Sequence, residues 1–465
     1  MAGSASATGK AASGQNSLGL VTDFVLNLKP ESIPAPVMQR AALLLLDTLG
    51  VAIGATPMEA GTIARETAVA LFGSRTPAHS ARLMFDGRRV SIAGAAFATA
   101  TGIDNLDAHD GYNPTKGHIG VVVLPTLAAL AESLPGLSGP EALAAYVVGY
   151  EVSGRAATAL HATVPEYHTS GAWNALGVAA MVCRMRGMTP AQFREAVGIA
   201  EFHGPRSQMM REIATPTMLH DGSAWGAMAG VTAAVQAGMG FTGAPAITIE
   251  APEVVSHWAD LGQVWQVPLQ YIKPYPICRW AHAAIDGTRK LVLENDLRPD
   301  DIAQITIRSF RYATELWGSM PDSTSRAQYG LPFPVAVMVA YRRIGVEHIS
   351  GEGLRDPLVA DIVSRIVVEE CPRHTERYPA GRWADVTIRL KDGTLLETGD
   401  IHARGGPDQP FAQAEIVEKF LQFAAPVVGD ARARDICARV LALTAPDSRF
   451  DALAELLYDI PGQGS

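Results

Sequence analysis

Ser223-Ala-Trp-Gly-Ala-Met-Ala-Gly-Val-Thr-Ala-Ala-Val-Gln-Ala-Gly-Met239 carries no charged residue and is built mostly of alanine and glycine. Residues 224–239 are the chain's nearest approach to a membrane-crossing segment. Polar interruptions keep this and every other stretch short of the roughly 20 apolar residues a span needs. Side chains this small let neighbouring backbones come close, and a helix apolar on all sides belongs inside a protein. A central buried helix over residues 223–239 is therefore expected. Working outward, the same texture recurs at residues 37–49, 119–133, 139–160, 172–185 and 189–201. The first of these follows Ser32, Pro34 and Pro36, a helix-start signal. Apolar segments so poor in charge predict an all-helical bundle.

Past about residue 268 the periodicity changes. Residues 302–308 alternate as a strand does, with Ile305 and Ile307 on one face, and Val386, Ile388 and Leu390 alternate likewise. Asp392-Gly393 then turns the chain into residues 394–398, a strong hairpin signal between alternating runs. Helical patterns at 281–294 and 333–342 lie between these strands, which predicts one sheet with helices on one side. Residues 412–423 and 431–443 return to helix. The expected fold is mainly α with an α/β second domain: a discontinuous all-helical bundle domain (residues 18–268 and 409–465) and a smaller α/β lid domain (residues 269–408). A cleft between the two is the default binding site.

The chain of 465 residues is 48% hydrophobic and 18% charged, enough for a large core. Lysine and arginine number 38 against 47 acids, a net charge of −9. No global basic field exists to recruit phosphates, which argues against nucleic acid as a partner. Nor is a membrane expected. An acidic protein that handled an acidic substrate would need a local cluster of cations. Cys183, Cys278, Cys371 and Cys437 are widely spaced and fit no metal-ligand pattern, so reduced thiols in a cytoplasm are expected. Residues 1–17 are rich in Gly, Ala and Ser with no apolar core, which reads as a flexible tail and not a signal peptide.

Three polar clusters interrupt the apolar texture. Asp104-Asn-Leu-Asp107-Ala-His109-Asp110-Gly-Tyr-Asn-Pro-Thr-Lys116-Gly-His118 holds acids, two histidines and a lysine, and its Gly and Pro residues predict a loop. A solvated loop with His118 near a helix cap is the plainer alternative. Glu166-Tyr-His168-Thr-Ser-Gly171 precedes a small-residue helix whose free N–H groups favour a carboxylate. His168 could equally be a structural histidine. Lys273-Pro-Tyr-Pro-Ile-Cys-Arg279-Trp-Ala-His282 sets three basic side chains on an extended path, the reception a polyanionic carboxylate needs, though short basic segments are usually solvated faces.

Lys-Pro-Tyr-Pro-x-Cys-x-x-x-His closely resembles a hallmark segment of the MmgE/PrpD family. The resemblance continues through Asp47-Thr-Leu-Gly50, His118-x-Gly-x-x-x-Leu-Pro125, His168 ahead of its Ala/Gly helix, and Ala327-Gln-Tyr-Gly-Leu-Pro332. That family includes 2-methylcitrate dehydratases, cis-aconitate decarboxylases and iminodisuccinate epimerases. The resemblance implies a helical domain with an α/β lid, a homodimer, no metal or organic cofactor, and a small di- or tricarboxylic acid as substrate. It places the active-site aspartate on Asp104, the two histidines on His118 and His168, and the lid lysine on Lys273. Arg279, His282, Tyr329 and Thr217 are candidate substrate contacts. At Thr217 many relatives carry a lysine shortly before a Leu-His pair, here Leu219-His220. The loop before His118 is also longer and brings its own Lys116, which is expected to supply the missing charge.

The chemistry implied is proton transfer at a carbon α to a carboxylate, with fixed cations stabilising the charge that develops. A neutral histidine near its ordinary pKa of about 6.5 is suited to take that proton. His118 and His168 are thus the expected acid/base pair, oriented by Asp104, with Lys273 and Arg279 holding substrate carboxylates. A hydro-lyase is the first expectation, and a decarboxylase or epimerase of the same family the alternative. A catalytically silent dimeric binding protein, or a metal-dependent hydrolase using Asp104, His109, Asp110 and His118, are the readings from other classes.

Overall fold

A computed structural model describes residues 17–460. The tail expected over residues 1–17 lies outside them save for Ser17, which opens the helix Ser17–Asn27. Helix Ser223–Gly238 packs its small-residue face on Gly171–Met185, Pro190–His203 and Ile92–Leu106, but it is not the fully buried helix expected: Trp225 is 54% and Met239 74% exposed. Its small residues are what that position demands. A Cβ added at Gly226 would fall 2.6 Å from the carbonyl oxygen of Gly171, and one at Gly230 would fall 2.4 Å from that of Ala175. Only a glycine-lined flank lets the two backbones approach so closely.

Two further helical expectations need correction. Helix Ala35–Gly54 runs 20 residues and is long and apolar enough by composition to cross a membrane, contrary to the reading that no stretch reaches that length. Most of it is buried in the bundle, and its one interior acid, Asp47, is met by the Lys419 ammonium at 2.5 Å. Lys419 comes from helix Gln413–Val428, which packs along Ala35–Gly54 beside Asp430–Leu441. The second correction concerns Asp104. It is not in a loop but on the last turn of Ile92–Leu106, a helix capped by the Ser91 hydroxyl at the Gly94 N–H. The loop that follows is buried through Tyr112.

The α/β part is built on strand Ile302–Ser309, antiparallel to Trp383–Leu390 with Ile305 opposite Ile388 and Ile307 opposite Val386. The Asp392-Gly393 turn, with Gly393 at φ 91°, leads into Leu395–Glu397, and Ile401–His402 pairs with the far end of Trp383–Leu390. Strand Ile366–Glu370, parallel to Ile302–Ser309, was not expected. Its outward positions are acidic or exposed, so the apolar alternation that marks a strand is weak there. Helix His282–Glu294 covers the sheet, and Pro332–Tyr341 packs on that helix. The molecule is thus mainly helical with an α/β second part. A short antiparallel pairing of Gly111–Tyr112 with Gln270–Tyr271 ties the buried loop to the segment that carries Lys273.

Candidate active site

Helix Ile92–Leu106 ends on Asp107, whose φ of 54° is left-handed, a conformation Asp tolerates better than most residues. That turn aims the Asp107 carboxylate at Lys273. The Lys273 ammonium is 1% exposed and donates both to this carboxylate and, at 3.1 Å, to the Asp107 carbonyl. Burial alone would lower its pKa, but Asp107 and Tyr271 outweigh burial and hold it above the usual lysine value. Lys273 is therefore a fixed buried cation.

Around this pair stand three carboxyls and three histidines, all buried. Asp104 accepts from the Ser223 hydroxyl at 3.2 Å, and His109 Nε2 lies 3.6 Å from its Oδ1. Glu212 accepts from the Tyr329 hydroxyl and, at 2.7 Å, from the Asp221 N–H. Desolvation, with Asp221 adding repulsion, raises Asp104 and Glu212 well above the normal carboxyl range, and burial raises Asp221 too. The histidines move the other way. Burial, followed by the nearby Lys273, drives His118 down to about 3, and burial lowers His109 and His220 as well. His118 Nδ1 lies 2.6 Å from the Asp110 carbonyl, an acceptor, so Nδ1 carries the proton and Nε2 presents a lone pair 3.4 Å from Asp221 Oδ2. His109 packs edge-on against His118 at 4.4 Å, and among the described residues neither of its ring nitrogens has a hydrogen-bond partner.

These shifts separate the two kinds of group. A histidine lowered to about 3 stays neutral at neutral pH, whereas a carboxyl raised above its ordinary range holds its proton more tightly than in water.

The helix N-terminus after His168 is also not free for a substrate. Ser170 donates to Asp221 Oδ1 through its hydroxyl at 2.8 Å and its N–H at 3.3 Å, and the Gly171 N–H donates to the Asp221 carbonyl at 2.9 Å. The protein's own aspartate fills the site. Asp221 and Gly222 reach it through successive left-handed residues, φ 49° and 64°, with the Gly222 N–H turned back on the His220 carbonyl at 2.5 Å. Such a turn is strained and persists because its surroundings hold it.

Of the residues the sequence singled out, Asp104, His118, Lys273 and Tyr329 join this cluster. His109 joins it too, Thr217 lines the cleft beside it, and the others stand elsewhere. His168 lies 6.5 Å from His161 ring to ring and 3.9 Å from Glu166, and among the described residues no contact joins it to the acids. Lys116 lays its ammonium 4.3 Å over the Tyr167 ring and does not line the cleft that Thr217 lines. Arg279 donates to the carbonyls of Arg404 and Ala403 at 2.7 and 2.8 Å and covers Tyr271, so its guanidinium is spent on holding backbone. His282 is fully buried, with Nε2 2.8 Å from the Ile277 carbonyl. Asp104, His109, Asp110 and His118 do not bring their ligand atoms together. Among the described residues, metal-type ligand atoms converge within 4.8 Å at Cys371, His374 and Asp385, where Arg308 already occupies the Asp385 carboxylate at 2.6 Å.

Sequence reading passed over Glu212 and Asp221 and gave Asp107 and His220 no role. Asp221-Gly222 directly ahead of the uncharged central helix was the available signal. Glu212 offered none, because its partner Tyr329 lies 117 residues further along the chain.

The floor of this cluster opens into a cleft of about 700 Å³ lined by Asp104, Glu212, His220 and Thr217, and farther out by Phe97, Met218, Leu219 and Trp225. Residues 20–263 match the MmgE/PrpD N-terminal domain and residues 275–443 the MmgE/PrpD C-terminal domain, and the chain belongs to the MmgE/PrpD family. Among known proteins it is similar to cis-aconitate decarboxylase of Homo sapiens, 28% identical over 423 residues that cover 84% of each chain. It is also similar to cis-aconitate decarboxylase of Aspergillus terreus (strain NIH 2624 / FGSC A1156), 24% identical over 467 residues, 91% of this chain and 92% of the relative.

Proposed function

We propose that this protein is a lyase that acts on a small carboxylic acid by proton transfer at the carbon α to a retained carboxylate. The observation that carries the reading is the pair of cleft-facing carboxyls, Asp104 and Glu212, both raised out of the ordinary carboxylate range beside the buried Lys273. One carboxyl of such a pair, kept protonated, donates while the other accepts. Lys273, held in place by Asp107, stabilises the negative charge that accumulates on the retained carboxylate. His118 and His220 stay neutral and offer hydrogen bonds without adding charge.

Two bond cleavages fit this machinery. In a carboxy-lyase, the C–C bond to the departing carboxylate breaks, its electron pair stays on the α carbon, CO₂ leaves, and a protonated carboxyl delivers a proton to that carbon. The similarity to proteins named cis-aconitate decarboxylase favours this form. In a hydro-lyase, the form expected from sequence, one carboxylate takes the α proton and the other carboxyl protonates the departing hydroxyl. A homodimer is proposed on the family resemblance, as is the absence of a metal or organic cofactor.

The test is a panel of cis-aconitate, citrate, 2-methylcitrate and amino-dicarboxylates, followed by proton NMR in deuterated water. Release of CO₂ with deuterium placed on the α carbon supports the carboxy-lyase, and loss of water supports the hydro-lyase. Failure of the folded protein to process or deuterate any acid in the panel would remove the proposal.

A further inference from the structure

We infer that Lys419 is a positioning residue for the site: through the Ala108 carbonyl it sets the loop that presents Asp107 to Lys273 and His109 to Asp104. The inference rests on the function proposed above and deepens it. Helix Ile92–Leu106 stops at Asp107, and the chain then runs buried, with no regular element until the short strand Gly111–Tyr112. Its carbonyls are held instead. Lys273 donates to the Asp107 carbonyl at 3.1 Å, Lys419 to the Ala108 carbonyl at 2.6 Å, and His118 Nδ1 to the Asp110 carbonyl at 2.6 Å. The three donors come from three distant parts of the chain and meet on four consecutive residues.

Lys419 reaches Ala108 from helix Gln413–Val428, and its ammonium is fixed by Asp47 at 2.5 Å, both side chains being buried. Burial opposes charge on both, lowering Lys419 and raising Asp47, so the pair adds little stability over apolar packing of the same volume. What it does supply is an ammonium at a fixed point with a donor to spare for one backbone carbonyl. Ala108 has no side chain long enough to anchor the loop itself, and Asp107 must hold a left-handed φ of 54° for its carboxylate to meet Lys273. The Ala108 carbonyl belongs to the peptide that carries His109, whose Nε2 lies 3.6 Å from Asp104 Oδ1. One bond therefore steadies the partner of Lys273 on one side and the neighbour of Asp104 on the other. Lys419 does not line the cleft that Asp104 and Glu212 line, so it acts through the loop and not on a substrate.

The test uses the full chain with both charges removed, Asp47→Asn/Lys419→Met, because Lys419→Met alone leaves a buried carboxylate unpaired and destabilises. On the acid that the parent turns over, kcat should fall about tenfold or more while KM stays within about threefold, the mark of lost alignment and not of lost binding. Glu201→Gln is the control, since Glu201 is a buried carboxylate that holds the N–H groups of Ile247 and Thr248 at 2.6 and 2.9 Å. It should lower Tm and leave kcat within about twofold. Scanning calorimetry adds a cycle that needs no turnover. The Tm loss caused by Lys273→Met should at least halve in the Asp47→Asn/Lys419→Met background, because Asp107 is then no longer aimed at Lys273. Parental kcat in the folded double variant would overturn the positioning, and so would an undiminished Tm loss from Lys273→Met. An equal fall in kcat for Glu201→Gln would show that turnover only follows stability, and would overturn it too. A parent that turns over none of the acids would remove the proposed function, and the Tm cycle alone would then decide whether Lys419 aims Asp107.

Discussion

Replacing Lys273 tests whether charge or packing holds the centre of the site. The ammonium is 1% exposed and its donors are taken by the carboxylate and carbonyl of one residue, Asp107, itself 4% exposed. Long charged side chains are rarely buried, and removing one from a surface leaves folding nearly untouched. This one is buried, so the expectation reverses. Removing one partner of a buried pair leaves the other charge unpaired, at a cost of about 3–5 kcal/mol. For 465 residues melting as one unit, an unfolding entropy near 2.1 cal/mol/K per residue gives about 1 kcal/mol/K, so Lys273→Met should lower Tm by about 3–5 °C. The double variant Lys273→Met/Asp107→Asn removes both charges, and asparagine accepts the left-handed backbone at 107. It should recover most of the lost Tm. Turnover should not recover: both variants should lose two orders of magnitude or more, the scale of a lost charge-stabilising donor. Scanning calorimetry and steady-state assays on the same preparations give both numbers. A single variant as stable as the parent would refute the buried pair, and a double variant with parental turnover would refute the catalytic use of the charge.

Asp104→Asn and Glu212→Gln keep shape and remove titration, so each should cut kcat at least a hundredfold with Tm kept within a few degrees; a loss under tenfold at both positions would exclude the carboxyl pair. Because His118 is driven down to about 3, no histidine limb is expected between about pH 5 and 8. The decline in kcat with rising pH should instead follow the raised carboxyls and vanish in whichever of the two variants removes the proton donor. His168→Gln and Lys116→Ala should each cost less than tenfold, and a hundredfold loss in either would put that residue back in the site. Asp110, raised from 3.8 to about 7 by burial and then by Asp47, holds its proton in the folded state across that window, so stability falls as pH rises through it, by at most about 4 kcal/mol. Asp110→Asn should therefore gain Tm relative to the parent between pH 4 and 7, and a constant difference across that range would show that Asp110 does not titrate there.

The bundle was legible because its signal is local and repeated. The alanines and glycines of the uncharged run 223–239 announce how closely its neighbours approach on one face, while Trp225 and Met239 leave the other exposed. The sheet was legible where alternation was clean, at 302–308 and 386–390, and lost at Ile366–Glu370, where three aliphatics followed by two adjacent acids do not alternate. The site was legible where one segment held the residues together and failed where the fold assembles them. Asp104 and Lys273 come from segments far apart in the chain, and each was found within its own motif. Their partners were not, because nothing near Asp107 in sequence says that a lysine will bury itself there. The same distance explains why the pKa shifts of these groups were not legible in the sequence. A histidine has an ordinary pKa only in water, and the groups that displace water around His118 arrive from helix Gly171–Met185, from the Asp221 turn and from the Lys273 segment. Spacing along the chain identifies which side chains meet; the sign of their proton affinities is decided by how dry that meeting place is and by which charges share it. Here three carboxyls and one paired lysine share a dry floor, so the carboxyls rise and the histidines fall.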